Sequence, residues 1–217
     1  MTFDGTDFYA ALIHELKNDL GVLSMALGGI PLRGEAAHDA AVDSARLLCQ
    51  GMVDRLHQAL LIYKADHQPI HPVLDACSPH DLVQAIAASA HALAHGRLHV
   101  ETVIAADTPV LWFFDRELVE MALVNAIHNA LAHARSSIRI EAGMDAGCLA
   151  LRVRDDSPGY PESLLESVAD GRPYAATGTG LGLRFARLIA HSHDNRGRRG
   201  ELRLGNDPGA VFSLLLP

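Results

Sequence analysis

The sequence has few cysteines, no long hydrophobic run and fewer basic than acidic residues. Its three cysteines, Cys49, Cys77 and Cys148, are odd in number, far apart and outside any CxxC motif. We therefore expect reduced, buried thiols rather than a disulfide framework. No stretch approaches the ~18 apolar residues of a membrane span, and the first residues show no basic region followed by an apolar run. These absences predict a soluble cytoplasmic protein.

The charge balance argues against a surface that binds nucleic acid. The chain has 18 basic and 26 acidic residues among 217, a net charge of −8, whereas nucleic-acid binding needs cations for phosphate contacts. The one basic cluster, Arg196 to Arg199, lies between a helical and a strand pattern, so we expect an exposed loop there rather than an anion site. A chain of this length can hold one large or two small domains.

The amino-terminal part is predicted to be a helical hairpin. Apolar residues recur at steps of three and four from Leu12 to Ile30, which indicates an amphipathic helix over residues ~6–30. Pro31 ends it, and a second helical pattern runs from Ala45 to about Lys64. Because two helices leave apolar surface uncovered, we expect a homodimer in which two hairpins form a four-helix bundle.

Two prolines mark a linker between this hairpin and a second domain. The segment His67–Pro72 stops the second helix and starts no periodic pattern. We therefore predict a hairpin domain over residues 1–66 and a second domain over residues 72–217.

The second domain is predicted to be α+β, with a mixed sheet and helices on one face. Its helices are expected near 80–95, at 115–134 and from Gly182 to about Ser192. Its strands are expected at Leu98–Ile104, Val110–Phe114, Ile138–Ala142, Leu149–Arg154, Glu201–Leu204 and Val211–Leu216.

The first helix carries a candidate nucleophile. His14 and Asn18 lie one turn apart on the face opposite the apolar stripe, and Glu15 follows the histidine. A neutral, exposed imidazole can attack an electrophile when a neighbouring carboxylate accepts its proton. Alone, His14 would be read as an ordinary surface histidine, so the assignment depends on the motifs that follow.

Three further motifs contain residues suited to a nucleotide and a metal ion. Asn125 and Asn129 share one helix face, and amide oxygens are suitable ligands for Mg²⁺. The segment Asp155–Gly159 leaves a strand and turns at Pro158-Gly159. The segment Gly178–Leu183 reads GTGLGL and leads into a helix, so its glycines and the helix N-terminus can approach phosphate closely.

In order and spacing, these four motifs resemble the H, N, G1 and G2 boxes of sensor histidine kinases, and the resemblance covers nearly the whole chain. It implies a dimeric phosphotransfer hairpin followed by an α/β sandwich of the Bergerat ATP-binding type. It also implies that His14 is phosphorylated from ATP bound with Mg²⁺ and that a response-regulator receiver domain then takes the phosphoryl group. We expect either that the input signal comes from a separate sensor protein or that the chain acts only as a relay.

The resemblance also implies a role for each matching residue. Glu15 is the acid/base beside the phosphoacceptor, and Asn18 holds a water for dephosphorylation of the regulator. Asp155 accepts a hydrogen bond from the adenine amino group, and Asn129 is the metal ligand. The nucleotide-binding residues are Asn125, Asn129, His133, Asp155, Gly159, Gly178, Thr179, Gly180, Leu181 and Gly182.

Several positions differ from the family pattern. Asp19 replaces a common proline, which predicts a straighter first helix. Ser157 replaces a glycine, Ala132 replaces a basic residue, and the lid segment Tyr160–Thr177 is short and lacks phenylalanine. Ser157, Ala132 and the short lid support an alternative, a histidine phosphotransferase or regulator phosphatase with a weakened or lost ATP site. The intact GTGLGL motif and the paired asparagines oppose it, so the kinase is the preferred interpretation. A non-catalytic module that only docks a partner is the third hypothesis.

Overall fold

The computed structural model describes residues 68–94, 96–172 and 180–217. It also describes residues 15, 16, 19, 22, 23, 51, 52, 55, 58, 59, 61–63 and 65. Those before residue 68 are helical, but they form no continuous element. The hairpin, its four-helix bundle and the domain boundary therefore stay predictions.

The second domain contains nine strands and four helices among its described residues. The helices are α1 (Pro79–Ala94), α2 (Arg116–His133), α3 (Glu162–Ala169) and α4 (Leu181–Ser192). The strands are β1 (Asp75–Cys77), β2 (His99–Ile104), β3 (Trp112–Phe114), β4 (Ser137–Asp145), β5 (Cys148–Asp155), β6 (Asp194–Asn195), β7 (Arg198–Arg199), β8 (Glu201–Asn206) and β9 (Ala210–Leu216).

Five strands form a mixed sheet in the order β2-β4-β5-β9-β8. Strands β2 and β4 are parallel, whereas the other neighbouring pairs are antiparallel. Alternate residues of β5, Leu149, Leu151 and Val153, belong to the main core with the buried residues of the helices. The predicted α+β class with a mixed sheet is thereby confirmed.

Charged side chains cover much of the opposite face of the sheet. Arg154 pairs with Glu141 at 3.1 Å, and Arg152 pairs with Asp145 at 3.2 Å. Arginine stems can cover apolar surface while their guanidinium groups remain near water. The domain therefore has two layers, with α1, α2 and α4 on one face of the sheet only.

Helix α2 begins and ends as its sequence predicts. The Asp115 side chain caps its N-terminus by accepting a hydrogen bond from the Leu118 amide at 3.0 Å. The Nε2 atom of buried His193, which follows α4, accepts a hydrogen bond from the Asp115 amide at 3.0 Å. These contacts fix the start of the helix that carries both asparagines.

The structure corrects the sequence prediction in three places. The strand expected at Val110–Phe114 begins only at Trp112, and Val110 is 85% exposed. The loop expected around Arg196 is exposed but forms a hairpin of β6 and β7, with its turn at Arg196 and Gly197. Helix α3 and strand β1 were not predicted.

Cys148 is buried and Cys77 partly buried, both as free thiols, while Cys49 is outside the described residues.

Candidate nucleotide site

One cavity of about 440 Å³ brings most of the predicted site residues together. Eight predicted nucleotide-binding residues line it: Asn125, Asn129, His133, Asp155, Gly159, Gly180, Leu181 and Gly182. Glu15 lines the same cavity from the amino-terminal part of the chain. The predicted residues His14, Asn18, Gly178 and Thr179 fall outside the part that the structure describes. A cavity of this volume is within the range of small-molecule sites.

The two asparagines differ in their surroundings. Asn129 is exposed, whereas the Nδ2 atom of Asn125 is buried and has no hydrogen-bond partner among the described residues. A buried amide without a partner is costly, so this donor fits an acceptor supplied by a ligand, such as a phosphate oxygen.

Position 182 needs a glycine because the chain there lies very close to the Asn125 side chain. A Cβ atom at position 182 would lie 2.3 Å from the Nδ2 atom and 2.5 Å from the Oδ1 atom of Asn125. The absence of a side chain in the first turn of α4 therefore allows the Asn125 amide to lie against that turn. This contact joins the second and fourth motifs of the sequence.

The turn after β5 is held by hydrogen bonds within its own motif. The Asp155 Oδ1 atom accepts a hydrogen bond from the Ser157 amide at 2.8 Å. The Ser157 hydroxyl accepts one from the Gly159 amide at 3.2 Å, and Ser157 is buried without a positive φ. Serine therefore fits this position, where the family pattern has glycine.

Asn206 of β8 also holds this turn, and the sequence analysis did not identify it. Its Oδ1 atom accepts a hydrogen bond from the Tyr160 amide at 2.8 Å, and its Nδ2 atom donates one to the Tyr160 carbonyl at 3.0 Å. Gly159 has φ of 92°, and a Cβ atom there would lie 2.6 Å from Asn206 Oδ1. Tyr160 itself lines the cavity, and burial together with the nearby Asp155 raises the pKa of its phenol.

Asp156 ties the same turn to the end of α2. Its Oδ1 atom accepts a hydrogen bond from the Arg135 amide at 2.7 Å, and its Oδ2 atom accepts one from the Ser136 hydroxyl at 2.5 Å. The Ser136 hydroxyl, and after it the backbone amides, hold the pKa of this carboxyl well below its usual range. The acidic residue that follows Asp155 in sequence therefore positions the turn.

The cavity continues to the amino-terminal residues. Arg55 and Gln58 line it beside Glu15, and Gln58 is only 6% exposed. The Glu15 Oε2 atom is buried and accepts no hydrogen bond from any described residue. Periodicity could place these residues on helices but could not show that they reach the nucleotide motifs.

These residues fit ATP and Mg²⁺. The buried Asn125 amide offers a donor, Asp155 offers a carboxylate acceptor for a base, and the Asn129 side-chain oxygen is a suitable ligand for Mg²⁺. Among the described residues, no helix is long and apolar enough to cross a membrane.

Comparison with known proteins identifies the carboxyl-terminal half. Residues 114–217 match the family model of the histidine kinase-, DNA gyrase B-, and HSP90-like ATPases. The signal transduction histidine-protein kinase AfsQ2 of Streptomyces coelicolor is 39% identical over 48% of this chain. The sensor-like histidine kinase SenX3 of Mycolicibacterium smegmatis is 24% identical over 97% of it. The chain covers only 20% of AfsQ2 and 57% of SenX3.

Solved structures agree with the fold. The Acinetobacter baumannii histidine kinase AdeS matches 94% of this chain and 96% of its own at a TM-score of 0.63 and 18% identity. Full-length ShkA, solved in complex with AMPPNP, matches 96% of this chain at the same TM-score and 23% identity. The carboxyl-terminal half of this chain is therefore a domain of the histidine kinase-, DNA gyrase B- and HSP90-like ATPase family, and the chain resembles a sensor histidine kinase core.

Proposed function

We propose that this chain is the catalytic core of a two-component histidine kinase, which phosphorylates His14 from ATP and passes the phosphoryl group to a response-regulator aspartate. The observation that carries the proposal is the single cavity lined by Glu15 and by residues of all three nucleotide motifs. The neighbour of the proposed phosphoacceptor therefore lies where the nucleotide would bind. That ShkA was solved with an ATP analogue supports the same reading.

Each residue has a distinct part in this proposal. Asp155 accepts a hydrogen bond from the adenine amino group, and the buried amide of Asn125 donates a hydrogen bond to a phosphate oxygen. Asn129 contributes its side-chain oxygen to Mg²⁺. ATP supplies the phosphoryl group, and bound Mg²⁺ neutralises part of its charge.

Glu15 is proposed to accept the proton that His14 loses. Its Oε2 atom is buried at the cavity and has no hydrogen-bond partner among the described residues. A carboxylate oxygen in that situation can accept an imidazole N–H, which makes the other ring nitrogen a better nucleophile. The residue at position 125 is asparagine, which cannot act as a base for water because its amide does not accept a proton at neutral pH. This favours transfer to His14 over simple hydrolysis.

The partners follow from the same proposal. The phosphoryl group passes to a receiver domain, and we propose that the chain acts as a cytoplasmic homodimer through its hairpin. Mass measurement of the purified chain in solution by light scattering tests the dimer, since a monomer at micromolar concentration would exclude the four-helix bundle.

Incubation with γ-labelled ATP and Mg²⁺ distinguishes the proposal from its rivals. The proposal predicts incorporation of a label that is acid-labile and base-stable, as a phosphoramidate is. A phosphotransferase without a working ATP site would take no label from ATP but would accept phosphoryl groups from a phosphorylated receiver domain. A chain that takes neither would be a docking module.

A further inference from the structure

Described residues of the predicted second helix pack against the ATP-binding domain. Arg55, Gln58, Ala59 and Ile62 are helical and spaced by three, four and seven from the arginine, so they share a face. Ala59 is 3% exposed and Ile62 1% exposed, and both belong to the hydrophobic core of the second domain. This packing fixes where Arg55 lies.

Arg55 lines the nucleotide cavity beside two carboxylates that belong to the predicted first helix. Its Nη1 atom donates a hydrogen bond to Asp19, and its Nε atom lies 3.8 Å from Glu15 Oε1. The side chain is 39% exposed and lines the cavity beside Asn125 and Asn129. The guanidinium has five N–H donors, so pairing with Asp19 leaves several for another acceptor.

The charge of the cavity gives this arginine its significance. Two carboxylates, Glu15 and Asp155, line the cavity, and Arg55 is the only lysine or arginine among its described lining residues. A triphosphate brings several negative charges, which require cations when they are taken partly out of water. On the part of α2 that faces the cavity, position 132 offers only the methyl group of alanine.

We propose that Arg55 is a nucleotide-binding residue that donates hydrogen bonds to the terminal phosphates of ATP, an inference that rests on the proposed function. The helical hairpin then supplies part of the ATP site. Discrimination between ATP and ADP depends on the hairpin being docked, because no lysine or arginine of the carboxyl-terminal domain is among the described residues that line the cavity. The packing of Ala59 and Ile62 places the guanidinium at the cavity, and Asp19, which pairs with it, is not one of the described lining residues.

The test compares the affinities of a non-hydrolysable ATP analogue and of ADP, with Mg²⁺, for the full chain and three variants. Arg55→Gln should weaken binding of the ATP analogue by about tenfold, as loss of a charge-assisted hydrogen bond does, and weaken ADP binding much less. Arg55→Lys should retain part of the preference. Asp19→Asn, which removes the ion pair but keeps the guanidinium, should lower the melting temperature while the ratio of the two affinities stays as in the wild type.

Other outcomes overturn the inference. Equal losses of affinity for both nucleotides in Arg55→Gln, which leave the affinity ratio unchanged, would assign Arg55 a structural role only. A loss of the ATP preference in Asp19→Asn equal to that in Arg55→Gln would lead to the same conclusion. If Arg55→Gln does not fold, Arg55→Lys decides the matter. A ratio of ATP-analogue to ADP affinity equal to that of the wild type would exclude a phosphate contact that depends on the guanidinium group. Failure of the wild type to bind either nucleotide contradicts the proposed function and the inference together.

Discussion

At the scale of single residues, the contact between Asn125 and Gly182 connects two motifs that are more than fifty positions apart in sequence. We predict that Gly182→Ala leaves the fold intact, because the clash is with the end of a flexible side chain, but turns the Asn125 amide away from the cavity. Binding of ATP should fall by about tenfold, the effect of losing one hydrogen bond to a charged group.

Isothermal titration of Gly182→Ala with ATP and Mg²⁺ measures this effect. Gly205→Ala is the matched control, because a Cβ atom at position 205 meets nothing within 4 Å. Equal ATP affinities in the two variants would show that the position of the Asn125 amide does not matter for binding.

Asp155 should select the base. Its Oδ1 atom is occupied by the Ser157 amide, which an asparagine oxygen could still accept, so Asp155→Asn replaces only the second oxygen by a donor. We expect a loss of ATP affinity of roughly 10- to 150-fold, since a hydrogen bond to a charged acceptor contributes about 1.5–3 kcal/mol. Asp207→Asn, at an exposed carboxylate that pairs with Arg154, is the control. Wild-type protein that binds GTP as tightly as ATP would exclude this role.

The motifs and their resemblance to the kinase boxes led to residues that the structure brings together, while the role of each residue in binding stays a prediction. Eight predicted nucleotide-binding residues line one cavity, to which α2 contributes both asparagines, the end of β5 contributes Asp155 and the first turn of α4 contributes Gly182. Asn206 and Asp156 could not be identified in this way. Their contribution depends on contacts across 46 and 20 positions of the chain, and a polar residue at the end of a strand or in a turn carries no signal of such a contact.

At the scale of secondary-structure elements, His193 couples the end of α4 to the start of α2. Its Nε2 atom accepts the Asp115 amide, so Nδ1 carries the proton and donates to the Ile189 carbonyl at 2.8 Å. Burial lowers the pKa of this imidazole, against smaller raising effects of Ile189 and Asp115. The fold therefore favours the neutral ring, whose protonation would place an N–H group against the Asp115 amide.

This coupling predicts a dependence of stability on pH. The unfolded chain binds a proton at His193 below a pKa of about 6.5, before the folded chain does. Its contribution to the free energy of unfolding is therefore full above that pH and falls as the pH decreases toward the lowered folded-state pKa. We expect the melting temperatures of the wild type and His193→Gln to differ more at pH 7.5 than at pH 5.5. A difference that stays constant between these pH values would exclude the coupling.

Element types follow from sequence where the pattern is long. Helices α1, α2 and α4 and the strands of the main sheet were predicted within a few residues. Strands β1, β6 and β7 have two or three residues each and α3 has eight, which is too short for a periodic pattern to develop. The strand predicted at Val110–Phe114 was too long because Val110 and Leu111 are apolar, as strand residues often are, but lie before β3 and are 85% and 56% exposed.

At the scale of the whole molecule, two activities are proposed to share the first helix. Asn18 is predicted one turn beyond His14 on the same face, so its amide could orient a water toward a docked aspartyl phosphate without contact with the imidazole. We expect Asn18→Ala to exchange phosphoryl groups with the cognate regulator normally and to slow the regulator's dephosphorylation. The decay of phosphorylated regulator measures this, and an unchanged rate in a chain with phosphatase activity would refute the role.

The measurement that tests the central claim most directly is phosphorylation of the wild type and His14→Ala by γ-labelled ATP, with the ATP affinity of each measured in parallel. The account predicts an acid-labile label on the wild type and no label on His14→Ala, while both bind ATP equally, because the cavity residues are the same in both. Label on His14→Ala at the wild-type level would contradict the account, as would a wild type that binds ATP and Mg²⁺ but takes no label.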